Sequence, residues 1–210
     1  MKDIIIVGAG GFGRELLEVI KHINREKPTY NILGFINDIP GTLDEYPAGK
    51  EYKILGTIKD WQPTGNEVYA MGISSPSGKK KVAELLKSRG AHFETIISPR
   101  VFVADYVTFG EGVVITAFSV QENAKIGNFV TIAGSVVGGT CEIGDYTTTT
   151  AFANLTNSKI GSGVFVGSHA VILNNMKIGD NCTICAGSIV FNNIKAGTKV
   201  WGNPAKKAPF

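Results

Sequence analysis

Histidine and cysteine are scarce in this 210-residue chain, three of each, and the scarcity removes several chemistries at once. Cys141, Cys182 and Cys185 are too few for a disulfide framework, and the CTIC pair has no second pair with which to hold zinc. CTIC also precedes no helix, as a thioredoxin-type redox site would, so packing is the expected role of these cysteines. Long apolar runs are missing too: no stretch approaches the ~18 residues of a transmembrane helix. The first strand begins almost at Met1 without a signal-peptide layout, so a cytoplasmic protein with no membrane partner is expected. A strong charge of one sign is also absent. The net charge of +3 is too mild to argue for nucleic acid, although it suits an anionic small-molecule ligand. The hydrophobic content of 43% is that of an ordinary soluble protein with a packed core.

Glycine, in contrast, is placed with purpose. Residues 7–13 read VGAGGFG, directly after the apolar run Ile4-Ile5-Ile6 and before RELLEVIKHI, whose spacing is helical. Gly8, Gly10 and Gly13 satisfy G-x-G-x-x-G in a strand–turn–helix setting, a turn that suits any ligand carrying a diphosphate. Strands are expected at 3–7, 31–36, 67–72 and 93–97, with helices after Gly11 and after Pro76, where GKKKVAELLKSRG ends on a capping-type glycine. The Lys79-Lys80-Lys81 run at the start of the second helix reads as a solvated face. Residues 1–97 thus form a small Rossmann-like α/β unit, holding little more than one of the two halves a dinucleotide domain normally supplies. Asp38, near the end of the second strand, fits a ribose contact, and NDIPG also reads as a plain turn.

From Ser98 onward no helical period survives. Glycines at 110, 127, 144, 161, 179 and 197 follow Phe109, Ile126, Ile143, Ile160, Ile178 and Ala196, in steps of 17, 17, 17, 18 and 18. Further aliphatic residues stand near six-residue spacing, among them Ile132, Val137, Leu155, Val166, Ile172, Ile184 and Val190. Such a hexapeptide repeat specifies a parallel β-helix of five or so triangular coils over residues 98–210, in which every sixth side chain points inward. One coil cannot bury its own apolar side, so stacking supplies the core and the ends need covering. A β-helix with one histidine offers no proton-handling site beside a nicotinamide, so hydride transfer with NAD is not expected.

VGAGGFGRELLEVI, GFINDIPGT after the second strand, the hexapeptide coils and GNPAK near the end together resemble the bacterial sugar acyltransferases of the NeuD and PglD type. The resemblance covers nearly the whole chain. It implies an α/β plus all-β protein: a Rossmann-like domain (1–97) that holds a nucleotide sugar, then a left-handed β-helix (98–210) that forms a homotrimer with acetyl-CoA between subunits. By position, Gly10, Gly11, Phe12, Asn37, Asp38 and Gly72 would line the sugar-nucleotide pocket. Family members often carry histidine where Phe12 stands; phenylalanine gives up a donor and keeps the ability to stack on a base or simply to pack. For acetyl-CoA the matched positions are Thr148, Ser168 and Ala186, with Lys206 near the CoA phosphates.

The family's base is missing. There a histidine, followed by an acidic partner, precedes an IGD element and removes the proton of the attacking amine or hydroxyl. Here the stretch is VVGGTCEIGD, and counting back four residues from Ile143 places Gly139 where the histidine belongs and Thr140 where its partner belongs. A second histidine of some members falls on Thr148. His22 and His92 lie in the α/β half, and His169 is the one histidine of the β-helix, either a catalytic substitute or a corner residue. So few histidines exclude a three-histidine zinc site, and no metal is expected. Glu142 and Asp145 are nearby carboxylates, neither in the required position. A sugar amine is partly unprotonated near neutral pH and can attack unaided, so N-acetylation is the expected chemistry. A non-catalytic trimer that binds a sugar nucleotide or CoA is the alternative.

Overall fold

The structure, a computed structural model, describes residues 1–209. Its first half is a five-stranded parallel sheet in the order β3-β2-β1-β4-β5. These are β1 (Lys2–Val7), β2 (Tyr30–Ile36), β3 (Ile54–Gly56), β4 (Glu67–Met71) and β5 (His92–Phe93). Central strand β1 shows why its sequence is a continuous apolar run: Ile4 and Ile6 pack under helix α1 (Gly11–Glu26), against Leu16, Leu17 and Ile20. Ile5 and Val7 point to the opposite side, where helix α3 (Pro76–Ser88) brings Ala83 and Leu86. A strand covered on both faces has no polar side to show. A short helix α2 (Ala48–Glu51) sits between β2 and β3. Helix α3 begins at Ser75, whose hydroxyl accepts from the Gly78 amide at 3.4 Å, with Pro76 at its first position. It ends on Gly90, whose φ of +92° is the left-handed cap that the sequence signals.

The strand expected at 93–97 is divided. His92–Phe93 joins the sheet beside β4, whereas Ile96–Ile97 pairs with Val114–Ile115 as the first rung of the second half. Between them Thr95 turns the chain: its hydroxyl donates to Gly110 O at 2.9 Å and accepts from the Val113 amide at 3.3 Å. The second half therefore begins at Ile96, two residues before the expected boundary.

That second half is a left-handed parallel β-helix. Its first face runs from Ile96–Ile97 to Lys199–Trp201 and ends in an antiparallel Lys206–Lys207 rung. The second face has six strands, Phe102–Val103 to Ile189–Val190, and the third has five, Thr108–Phe109 to Lys177–Ile178. In the parallel strands of the three faces as far as Ile189–Val190 the last side chain points inward, so Val137, Ile143, Leu155, Ile160 and Val166 belong to one continuous aliphatic column. Burying each is worth about 1.5–3 kcal/mol. Three corners are one residue short, Ile115 to Val120, Ile132 to Val137 and Leu155 to Ile160 taking five residues where the other steps as far as Val190 take six, and the last coil is shorter still, with four residues from Val190 to Ile194. The three five-residue corners account for the 17-residue steps, and none of them is the Gly139 corner between Val137 and Ile143.

The two halves share their cores. Ile96 and Val114 sit in the α1-side cluster, and Phe129 sits in the α3-side cluster. Phe129 is edge-on to Phe93 at 5.0 Å and stacked on Tyr146 at 5.5 Å. Lys79 corrects the reading of its run as a solvated face. Only Lys80 and Lys81 are exposed; Lys79 is fully buried against the first face, with Nζ donating to Thr131 Oγ1 (2.8 Å), Thr147 O (3.0 Å) and Thr148 Oγ1 (2.7 Å). Burial pushes its pKa well below the usual lysine value.

Candidate functional site

The glycine turn lies where the strand order reverses about β1, the crevice in which open α/β sheets bind ligands. Its glycines divide into two kinds. Gly8 has φ +93°, a Cβ on Gly13 would overlap Gly8 O, and one on Gly72 would sit 2.9 Å from Val7 O. These three let β1, α1 and β4 approach one another. Gly72 is thus a buried packing residue that donates to Val7 O at 2.8 Å, and not the pocket liner expected. Gly10 and Gly11 have nothing within 4 Å of an added Cβ. The folded chain does not need glycine there, and the open space exposes the first amides of α1, a helix start with no side-chain cap and no acidic residue. Phe12 is half-buried and packs on the α1-side core.

Asn37 ties this turn to the loop after β2. Its Oδ1 accepts from the Ala9 amide (3.2 Å), and its Nδ2 donates to Ile39 O (2.8 Å) and Thr42 Oγ1 (2.9 Å). Asp38 accepts from the Lys59 amide at 3.0 Å through Oδ1. Two residues not anticipated from sequence stand beside them. Arg14 donates to Ala9 O at 3.2 Å and lies 3.6 Å over the ring of Tyr46. Arg14 directly follows the glycine signature, a signal that was there to use; Tyr46 lies 32 residues on and carried none.

The β-helix separates the other expected residues onto different parts of its triangular section. Gly139 and Thr140 form a corner between the second and third faces, with Thr140 in the left-handed region at φ 58°. Ser168, His169 and Ala186 lie on the edge between the first and second faces, where Ser168 Oγ meets Thr150 Oγ1 at 3.2 Å. His169 has φ 58° and stacks on Phe152 at 4.9 Å, so a corner role is fully accounted for. Thr148 does not join them: it is fully buried on the first face, receiving Lys79 and donating to Ser74 O at 2.6 Å. Lys206 is exposed in the final rung, within the tail that closes the same end of the edge through Ala205 N to Ile189 O at 2.8 Å.

The two carboxylates near Gly139 are spoken for. Glu142 receives Lys159 Nζ at 3.1 Å and Lys125 Nζ at 3.8 Å on the third face. The Lys159 hydrogen bond, outweighing a small burial effect, and then Lys125 hold its pKa below the ordinary range. Asp145 accepts from the Asn128 amide at 2.7 Å, joining adjacent coils. A groove of about 840 Å³ runs along the same third face past Lys125, Lys159 and Lys177 and includes none of the expected site residues. Among the described residues no group of three or more His, Cys, Asp or Glu side chains is arranged to hold a metal ion, and no helix is long and apolar enough to cross a membrane.

Comparison with known proteins bears on both halves. The PglD N-terminal domain family matches residues 3–86, and the bacterial transferase hexapeptide family, with six repeats, matches residues 157–192. No curated protein matches the chain. Among solved structures, the acetyltransferase domain of PglB from Neisseria gonorrhoeae FA1090, in complex with acetyl coenzyme A, is 22% identical over 99% of both chains, with a TM-score of 0.85. PerB from Caulobacter crescentus, in complex with CoA and GDP-perosamine, is 19% identical over 99% of this chain and 98% of its own, TM-score 0.85. WeeI from Acinetobacter baumannii AYE is 27% identical over 99% of this chain and 100% of its own, TM-score 0.84. The chain thus matches a PglD N-terminal domain followed by a hexapeptide-repeat β-helix, which is the two-part resemblance to the NeuD/PglD-type sugar acyltransferases that its sequence motifs carry.

Proposed function

We propose that the chain transfers an acetyl group from acetyl-CoA to the amine of a nucleotide-linked sugar. The observation that carries the reading is the open glycine turn. Gly10 and Gly11 stand at a helix start without a side-chain cap, with open space where a Cβ would be, on the same chain as a β-helix like those of PglB and PerB, which were solved with acetyl-CoA or CoA. Gly10, Gly11, Phe12, Asn37 and Asp38 hold the sugar nucleotide in this reading, with the diphosphate on the α1 amides. Ser168 and Ala186, on one edge of the β-helix, and Lys206, in the rung that ends the first face, hold CoA in this reading.

A homotrimer completes the site. The outward column of the second face carries Phe102, Ser119, Val136, Asn154, Val171 and Ile189, uncharged throughout, with Phe102 61% exposed. The third face instead carries Lys125, Glu142, Lys159 and Lys177, and the lower first face is covered by α3. An uncharged, largely apolar strip is the one suited to burial between copies. Turned toward a three-fold axis, it brings the Gly139 edge of one copy against the Ser168 edge of the next. Light scattering should give about three times 22.4 kDa.

The bare Gly139 favours a second reading, a trimer that binds these ligands without turnover. Acetyl-CoA cleavage against a panel of UDP-, GDP- and dTDP-linked amino sugars decides between the two. Thioester loss dependent on the amino sugar supports acyl transfer; CoA and sugar nucleotide bound with no thioester loss supports the binding protein.

A further inference from the structure

We infer that Glu122 is the proton acceptor for acyl transfer in this chain, a step that rests on the acyl-transfer reading above. The residues immediately before the left-handed corners of the second–third edge form a column, of which Glu122, Gly139 and Thr156 are successive members. Gly139 has no side chain, so the column has a gap one residue wide. Glu122 forms its floor: a Cβ built on Gly139 would lie 3.4 Å from Glu122 O and 3.8 Å from Glu122 Cγ, and the Thr140 amide donates to Glu122 O at 3.0 Å. The carboxylate therefore stands one coil below the vacant position and can reach into the gap that a larger residue at 139 would fill.

Glu122 is also available. It is exposed, and among the described residues its carboxylate meets no cation and no hydrogen-bond donor. The other acidic groups nearby are engaged, Glu142 by two lysines and Asp145 by Asn128. His169 belongs to the other edge of the second face, where its ring is stacked on Phe152. Five corners separate it from Thr140, which at ~4.8 Å per coil places it about 8 Å further along the helix axis. Even in a trimer, where the two edges meet, that offset keeps His169 away from the Gly139 gap.

In the step itself the sugar nitrogen forms the C–N bond to the acetyl carbonyl, and the Glu122 carboxylate takes the proton that the nitrogen sheds. The C–S bond then breaks, and the departing CoA sulfur recovers that proton from the Glu122 carboxyl. A carboxylate suits an amine acceptor, whose nitrogen becomes strongly acidic once bonded to the carbonyl carbon, better than a hydroxyl, which must be deprotonated as it attacks.

The test uses the full-length trimer, acetyl-CoA and the amino sugar nucleotide turned over fastest. Glu122→Gln and Glu122→Ala should lower kcat by about 10²-fold, with KM for both substrates and CoA affinity by calorimetry changed less than about threefold. Formate, small enough for the space left in Glu122→Ala, should restore part of the rate and leave Glu122→Gln unaffected, a response that a merely structural role would not produce. Glu122→Gln turning over at more than half the wild-type kcat overturns the assignment, as does an equal loss in His169→Ala with no formate rescue of Glu122→Ala. Wild-type protein that binds CoA and the amino sugar yet transfers nothing overturns the acyl-transfer reading and this inference together.

Discussion

Replacing Lys79 tests how the two halves are joined. Its ammonium is buried without a counter-ion and held by two threonine hydroxyls and one carbonyl. Hydrogen bonds from a charged donor contribute ~1.5–3 kcal/mol each, while removing an ammonium from water costs several kcal/mol; the bonds offset that cost only in part, as the lowered pKa shows. Lys79→Met keeps the stem and removes the charge, and both Thr147 O, which retains the Thr131 amide, and Thr148 Oγ1, which retains Ser74 O, stay bonded. Only the Thr131 hydroxyl loses its partner, so the cost at pH 7 should be about 1 kcal/mol, against about 2–4 kcal/mol for the cavity left by Lys79→Ala. The sharper signal is in pH. Burial lowers the folded pKa below the usual 10.5. Between those two values only the unfolded chain binds the proton, so wild-type stability rises with pH, by up to ~1.4 kcal/mol per unit, and the gain is complete above 10.5. Urea unfolding of wild type and Lys79→Met at matched concentration from pH 7 to 10 isolates this contribution, because every other titrating group is common to both. A difference that stays flat, or moves in favour of Lys79→Met as pH rises, would refute the reasoning.

Glu67 should show a dependence of the same sign in an acid window, since its folded pKa is also lowered. Burial alone would raise its pKa, but hydrogen bonds from Thr64 and Tyr69 hold it at about 2; Glu67→Gln should lose up to about 3 kcal/mol at pH 7, a difference that shrinks below pH 4.5 and is gone near pH 2 in acid unfolding curves. Gly144→Ala should cost about 1–3 kcal/mol, because its Cβ would sit 2.6 Å from the Ser162 amide, whereas Gly139→Ala, with nothing closer than 3.4 Å, should leave Tm unchanged. Gly139→His with Thr140→Asp restores a base and its orienting partner on a full-length corner, and should raise acetyl transfer by ~10- to 10³-fold, more for hydroxyl than for amine acceptors. The gain should be larger in a Glu122→Gln background than in wild type, and kinetics in the two backgrounds measure it.

Most of the fold was legible because its periods are long and consistent. The β1 run, the cap at Gly90 and the six-residue aliphatic spacing each specify one local structure, and each lies where its pattern places it. What failed were features settled by contacts between halves. Ile96 and Ile97 are as strand-like in one sheet as in the other, and Thr95, by bonding to Gly110 and Val113, assigns them to the β-helix. Lys79 reads like its neighbours Lys80 and Lys81, and only the packing of α3 on the first face separates it from them. Gly72 reads like Gly10, although one is enclosed by β1 and α1 and the other faces open space.

Glu122 is a different case, since its place was within reach of arithmetic. In a β-helix the residue that touches position 139 from below is one coil earlier, and the local step of 17 leads from Gly139 to Glu122. Searching along the chain from Gly139 finds Glu142 and Asp145 instead, both nearer in sequence and both committed to holding coils together. Contacts in a stacked-coil fold follow the coil period and not chain proximity, so a residue that replaces a lost side chain is to be sought one period away. On the proposed assignment, the glycine at 139 and the exposed carboxylate one coil below it act together: the space that a side chain at 139 would fill is the path by which an amine would reach Glu122.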